Sequence, residues 1–240
     1  MSVFAGNTTA LPASSNGAPE QAATPHARPL CPLVFVPSDC AGWNAEYVPA
    51  LDAALAEALN WWQTRLGVQP FDPEPALAIG GRQPRAAYAC DTQERIRAEL
   101  ARYFPDLAAL SEQAGTSVPC PSLSVPLYVV YALLSDLPYR CAGNVIGTSA
   151  AAAGGPPVLV VQSSGSLDAF ALGQNPLDPV SGSRAAQIGA LAHELGHALG
   201  LPHPADPAVQ AVSVMWSWWL FPRVALSPPE TAQALACLSG

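Results

Sequence analysis

Three of the four histidines of this 240-residue chain fall within the window HELGHALGLPH, from His193 to His203, and the fourth, His26, stands far upstream. On a helix, His193 and His197 lie one turn apart on the same face, a spacing at which both imidazoles reach one small cation. A straight helix has no third ligand to offer, so the chain must turn. Gly200 permits that turn, because glycine takes positive φ without steric penalty, and Leu-Pro then leads to His203. Three neutral nitrogens leave a fourth tetrahedral position for water, the pattern of catalytic rather than structural zinc. Glu194, beside the ligands, is placed to take a proton from that water, which is chemistry for attacking a carbonyl.

Such a site needs a rigid helix beneath it. From a start near Ser183, Ile188, Leu191, Leu195 and Leu199 are apolar, and steps of four place the three leucines in one row with the histidines about 200° away at 100° per residue. Upstream, the apolar run Leu33–Val36 followed by a helix over 49–66 predicts a βα unit. That helix buries Leu51, Leu55, Ala58, Trp62 and Leu66 and stops at Gly67. A second strand is predicted over 75–81. A second helix starts at Asp91 and Glu94, with Ile96, Leu100 and Tyr103 inward. LYVVYALL (127–134) is the plainest strand, and strands around 144–149 and 158–162 follow. The stretch 162–183 reads as a long loop rich in turn formers. Ser227, Pro228 and Glu230 form a capping box with proline at the first helical position, which predicts a closing helix. Residues 1–29 read as a flexible leader ahead of a folded region spanning 30–240.

Composition excludes some partners. The net charge is -8, and the ten basic residues, all arginine, are dispersed, so no footprint for a phosphate backbone exists and nucleic acid is not expected. No apolar run is long enough to span a bilayer. The six cysteines, Cys31, Cys40, Cys90, Cys120, Cys141 and Cys237, form an even set without CxxC spacing. That pattern favours disulfides and a secreted or extracytoplasmic setting, with buried thiols as the alternative. The N-terminus lacks the charged and apolar regions of a signal peptide, which is expected to have been removed. A monomer is expected.

His193, Glu194, His197, Gly200 and His203 match the HExxHxxGxxH signature of the metzincin zinc peptidases, and Met215 in SVMW resembles their Met-turn. The resemblance implies an α+β fold: a mixed twisted sheet with two or more helices in an upper lobe (about 30–202), an active-site helix, the Met-turn and a small C-terminal lobe (about 203–240) ending in a helix. It implies that Asn144, Val145, Ile146 and Gly147 belong to an edge strand pairing with an extended substrate, since an open strand edge binds any peptide backbone. It also implies that Trp216 and Trp218, with Trp219 and Phe221, wall an apolar pocket, or else seal the lower lobe's own core. Ser217 stands where astacins carry a tyrosine, no histidines remain for a matrixin-type structural zinc, and 82–126 resembles an insertion. Calcium on Asp168 or Asp178 matches no known loop spacing.

The implied function is a zinc-dependent endopeptidase acting on protein or peptide, with one catalytic zinc on His193, His197 and His203 and Glu194 as general base. Two alternatives differ in class. A zinc-binding module of peptidase fold would grip a peptide or glycoprotein without cutting it. A disulfide-stapled domain without metal would leave the histidine window a coincidence.

Overall fold

The computed structural model describes residues 27–41, 43–88, 92–104, 126–134, 148–149, 158–162, 164–173 and 182–239. Its centre is the strand β1 (Arg28–Val36), flanked on one side by β4 (Leu127–Ala132) and on the other by two short strands, β2 (Phe71–Pro73) and β3 (Leu77–Gly80). Beyond β4 come β6 (Val158–Gln162) and β5 (Thr148–Ser149), giving the order β2-β1-β4-β6-β5. All pairings are parallel except that of β5 with β6. The sheet is therefore mixed, as expected, and among the described residues its one antiparallel strand lies at an edge.

Parallel strands are covered on both faces, and the alternation of side chains shows it. Leu30, Val34, Leu127, Val129, Tyr131 and Leu133 face a large core. There they meet the helices α1 (Tyr47–Leu66), α3 (Ser164–Leu172), α4 (Arg184–Ala198) and α7 (Pro228–Ser239). Leu33, Phe35, Tyr128, Val130, Ala132 and Leu134 face a smaller core with Ile79, Tyr88 and, from α2 (Thr92–Leu100), Ile96 and Leu100. This double burial explains why LYVVYALL is apolar at every position. The region that looks like an insertion thus supplies the cover of the second face.

The predicted apolar face of α1 is buried, and Gly67 ends the helix at φ 73° with its N–H bonded to Gln63 O. Three expectations require correction. The first strand begins at Arg28 rather than Leu33, because β2, which carries no alternation, gives Arg28–Leu30 a partner. The stretch after Gln162 is not all loop: Ser164–Leu172 is helical despite its Gly and Ser content, with Leu167 and Phe170 buried in the main core. Tyr103 is 47% exposed, since α2 ends at Leu100 and does not carry the helical phase that far; its hydroxyl donates to Gly80 O. Among the described residues no disulfide is present, Cys31 and Cys40 being half-buried thiols. Asp91, Asp178 and three of the six cysteines, Cys90, Cys120 and Cys141, lie outside the described residues. Asp168 accepts a 2.7 Å hydrogen bond from Tyr47 Oη. No helix among the described residues is long and apolar enough to cross a membrane.

Candidate metal centre

The helix α4 opens on Ser183, whose Oγ accepts the N–H of Ala186, and its leucine row is sealed in the core, with Leu191, Leu195 and Leu199 at most 1% exposed. Its C-terminus is a Schellman turn. Gly200, at φ 76°, donates to His197 O (2.9 Å), and Leu201 N reaches back to Gly196 O (3.0 Å). The turn swings His203 back over the helix, and Gln233 of α7 holds it by donating to Gly200 O.

The three imidazoles converge. Nε2 of His197 lies 3.1 Å from that of His193 and 3.2 Å from that of His203, and the His203–His193 separation is 3.2 Å. The His193–His197 approach is not a hydrogen bond between rings. His193 Nδ1 donates to Val214 O (3.0 Å) and His197 Nδ1 to Leu201 O (2.8 Å), so each ring holds its proton on the far side and turns a lone pair inward. Bare lone pairs at such separations repel. A tetrahedral ion with Zn–N bonds near 2.0–2.1 Å would set its ligand nitrogens about 3.3 Å apart, close to the separations observed. The donor set and its spacing fit one such ion, and these histidines form a group able to hold a metal.

Burial favours the neutral form of each group. It holds His193 down at about 4, with His197 adding to the effect, and it lowers His197 as well, so both are neutral donors at neutral pH. Glu194 is 6% exposed, and burial raises its carboxyl to about 7, a value suited to exchanging protons near neutrality. Its Oε2 is buried without a hydrogen-bond partner.

After the one-turn helix α5 (Pro207–Gln210), Met215 lies directly beneath, fully buried, in the short helix α6 (Val214–Ser217). A Cβ built on Gly196 would stand 2.3 Å from Met215 Sδ, and one on Gly189 would stand 2.0 Å from the Trp218 carbonyl oxygen. Both glycines are needed for α4 to approach the chain below it. The sequence reading missed them, although their seven-residue separation within a helix of strong formers was a visible signal. It also missed Trp62 as a brace, whose Nε1 donates to Ala192 O (3.1 Å), and Ser213, whose Oγ caps α6.

The aromatic cluster after Met215 divides. Trp216 is 43% exposed and meets the His203 ring edge-to-face at 5.9 Å, whereas Phe221 is buried against Trp61. The Trp218 ring packs on Trp219, and its backbone presses on Gly189. Of the expected pocket wall, the structure thus brings Trp216 to the histidines and uses Phe221 as core. Asn144, Val145, Ile146 and Gly147 lie outside the described residues; Thr148 and Ser149, which continue that segment, form the antiparallel edge of the sheet.

No protein-family model matches the chain, and no curated protein matches it significantly. Solved structures do. Catalytically inactive OgpA from Akkermansia muciniphila, crystallised with an O-glycopeptide (glycodrosocin) substrate, aligns over 91% of this chain at 16% identity and a TM-score of 0.56. The chain spans 62% of that protein's length. Metalloproteinase-II from Bacteroides fragilis aligns over 92% of this chain and 56% of its own, at 13% identity and a TM-score of 0.44. Archaemetzincin from Methanopyrus kandleri aligns over 87% of this chain and 96% of its own, at 19% identity and a TM-score of 0.40. At such identities the likeness is one of fold. The chain is a mixed α/β protein that shares its fold with OgpA and brings three histidines to one point.

Proposed function

We propose that this protein is a zinc-dependent endopeptidase, with His193, His197 and His203 holding the ion and Glu194 as general base. The observation that carries this reading is the convergence of three Nε2 atoms, two of them fixed by carbonyls on the opposite ring nitrogen, beside a buried carboxylate. A zinc ion there would acidify a water molecule and polarise the substrate carbonyl. Glu194 accepts the water's proton at a carboxylate oxygen and delivers it to the leaving amine nitrogen, so carboxylate and proton are both restored at the end of a cycle. His193 and His197 stay neutral and oriented through their Nδ1–H bonds to Val214 and Leu201. A structural zinc site would have no use for a buried base next to its ligands, which favours the enzyme over a non-cleaving binding module.

Substrate selection rests on Trp216, the exposed indole against His203, as a stacking wall beside the scissile bond. OgpA was crystallised with an O-glycopeptide. An exposed indole stacks on a sugar face as readily as on an apolar side chain, so both substrate forms belong in the test. The extracytoplasmic assignment rests on the even cysteine count alone. Zinc-loaded protein is incubated with matched libraries of plain and O-glycosylated peptides, and cleavage sites are read by mass spectrometry. Internal cuts together with one zinc per chain by elemental analysis are expected. Zinc without any cleavage would establish the binding module instead.

A further inference from the structure

The third histidine of the window is held differently from the other two. His193 and His197 are fixed at the ring, through Nδ1–H bonds to the Val214 and Leu201 carbonyls. His203 is exposed, and the fixed points around it lie in the main chain on either side. Upstream, Gly200 O accepts Gln233 Nε2 of α7 at 2.5 Å; downstream, Pro204 O accepts Gln210 Nε2 of α5 at 2.8 Å. With Leu201 O taking the His197 proton, three carbonyls between Gly200 and Pro204 each accept a side-chain donor, and each donor comes from a different helix.

The local sequence Leu-Pro-His-Pro explains why this segment is gripped by its carbonyls. Pro202 and Pro204 have no N–H to donate, so acceptors are the anchors that they offer. The same prolines disfavour helical backbone at Leu201 and His203, which stiffens the arm between its two ends. The glutamines fix those ends, and both are themselves rooted. Gln210 N donates to Asp206 O (2.9 Å), and its carbonyl accepts Ser217 Oγ (2.7 Å). Ser217 is buried on α6, two residues after Met215. Gln233 stands one turn after Glu230, which accepts Ser213 Oγ.

We propose that Gln210 and Gln233 form a clamp that presets His203 for the metal by pinning the main chain at Pro204 and Gly200. Both are positioning residues, acting only through His203. Ser217, at the position where astacins carry a tyrosine, is here the root of the clamp, with its hydroxyl engaged by Gln210 O. The proposal rests on the metal-holding half of the endopeptidase reading and not on cleavage.

The test uses the full chain and zinc alone. Gln210→Met and Gln233→Met remove an amide donor while keeping side-chain length and charge. Each is made in the wild-type chain and in His203→Ala, and zinc affinity is read by competition with a chromophoric chelator. In the wild-type background each is expected to lose about tenfold, the lower end of the range for outer-shell partners of a metal ligand. In His203→Ala the residue they act through is gone, so neither is expected to change the affinity further. Unchanged affinity in the wild-type background, or equal losses in both, would overturn the clamp. The urea midpoint of the metal-free chain decides independently, including where His203→Ala holds zinc too weakly to titrate. Gly200 and Pro204 are only half-buried, so water replaces the lost donor and the midpoint is expected to stay near wild type. A midpoint that falls in step with the affinity would assign the loss to the fold and overturn the positioning role. Wild-type protein that shows the expected zinc behaviour yet cleaves nothing would overturn the endopeptidase reading and uphold the clamp, whereas wild-type protein that binds no zinc would overturn both.

Discussion

Ser213 Oγ donates a 2.6 Å hydrogen bond to Glu230 Oε1, joining the chain beneath the histidines to the first turn of the last helix. Both residues are buried. The same Ser213 oxygen accepts Met215 N (3.0 Å), and Glu230 Oε2 accepts Ser227 N (2.7 Å) to close the capping box. The loop gripped in this way carries the Val214 carbonyl that orients His193. A helix cap thus doubles as a brace for the candidate metal site.

Removing that brace should therefore be felt at the metal. Ser213→Ala leaves the buried Glu230 oxygen without its donor and should destabilise the fold by about 1–3 kcal/mol. Zinc affinity should fall by about tenfold or more as His193 loses its fixed orientation. Ser227→Gly, which affects the cap alone, should leave zinc affinity near wild type. Competition with a chromophoric chelator reads the difference, and equal affinities in all three proteins would dissolve the link.

Glu194→Gln and His203→Ala divide the labour of the window. The glutamine variant keeps all three nitrogen ligands, so its zinc content should match wild type while cleavage drops by roughly 10² to 10⁴. His203→Ala should lose zinc and cleavage together. Near wild-type cleavage by Glu194→Gln would end the proposed mechanism.

The two helical glycines should respond unequally to alanine. At Gly189 the new Cβ meets the Trp218 backbone oxygen, which cannot step aside without moving the loop, whereas at Gly196 it meets the end of the Met215 side chain. Alanine gains about 0.5–1 kcal/mol of helix propensity at either site, and overpacking costs typically about 1–3 kcal/mol. Gly189→Ala should be clearly destabilised in thermal denaturation and Gly196→Ala less so. A rise in midpoint for Gly189→Ala would mean that the close approach is not real.

Protons should compete weakly for the site. Burial, with the neighbouring ring adding to it, holds His193 at about 4, well below the ordinary histidine value near 6.5. Zinc should accordingly remain bound when pH falls through 6, and dialysis at stepped pH with elemental analysis reads the loss point. For the metal-free chain the two buried groups act in opposite senses. The lowered His193 contributes stability that is lost as pH falls from about 6.5 toward 4. The raised Glu194 contributes stability that is lost as pH rises from 4.5 toward about 7. His197, also lowered by burial, acts in the same sense as His193, so between pH 4.5 and 6.5 Glu194 should offset only part of the rise of the urea midpoint with pH. In Glu194→Gln it should climb with pH over that window, and a flat profile there would refute the assignment.

What the sequence determined by itself was local. His193, His197 and Gly200 were legible because helical spacing and the freedom of glycine act over a few residues, and the Ser227–Glu230 capping box was legible for the same reason. The row Leu191, Leu195 and Leu199 and the buried face of α1 followed from a period of 3.6, and the run 127–134 from its uniform apolarity. Tertiary packing decided the rest. The helix Ser164–Leu172 forms in a Gly- and Ser-rich stretch because Leu167 and Phe170 are buried against the main core, a gain that intrinsic propensity does not register. Tyr103 turned outward because α2 stopped one turn short of it. Trp216 and Phe221, five residues apart in one aromatic run, took opposite fates, since only the fold determines which ring meets His203 and which meets Trp61. Ser213, Glu230 and Gly189 gain their meaning from atoms 17 to 29 positions away in the chain. Spacing encodes what one helix turn can bring together, and only the packing of several elements ties a distant helix cap to the loop that orients His193.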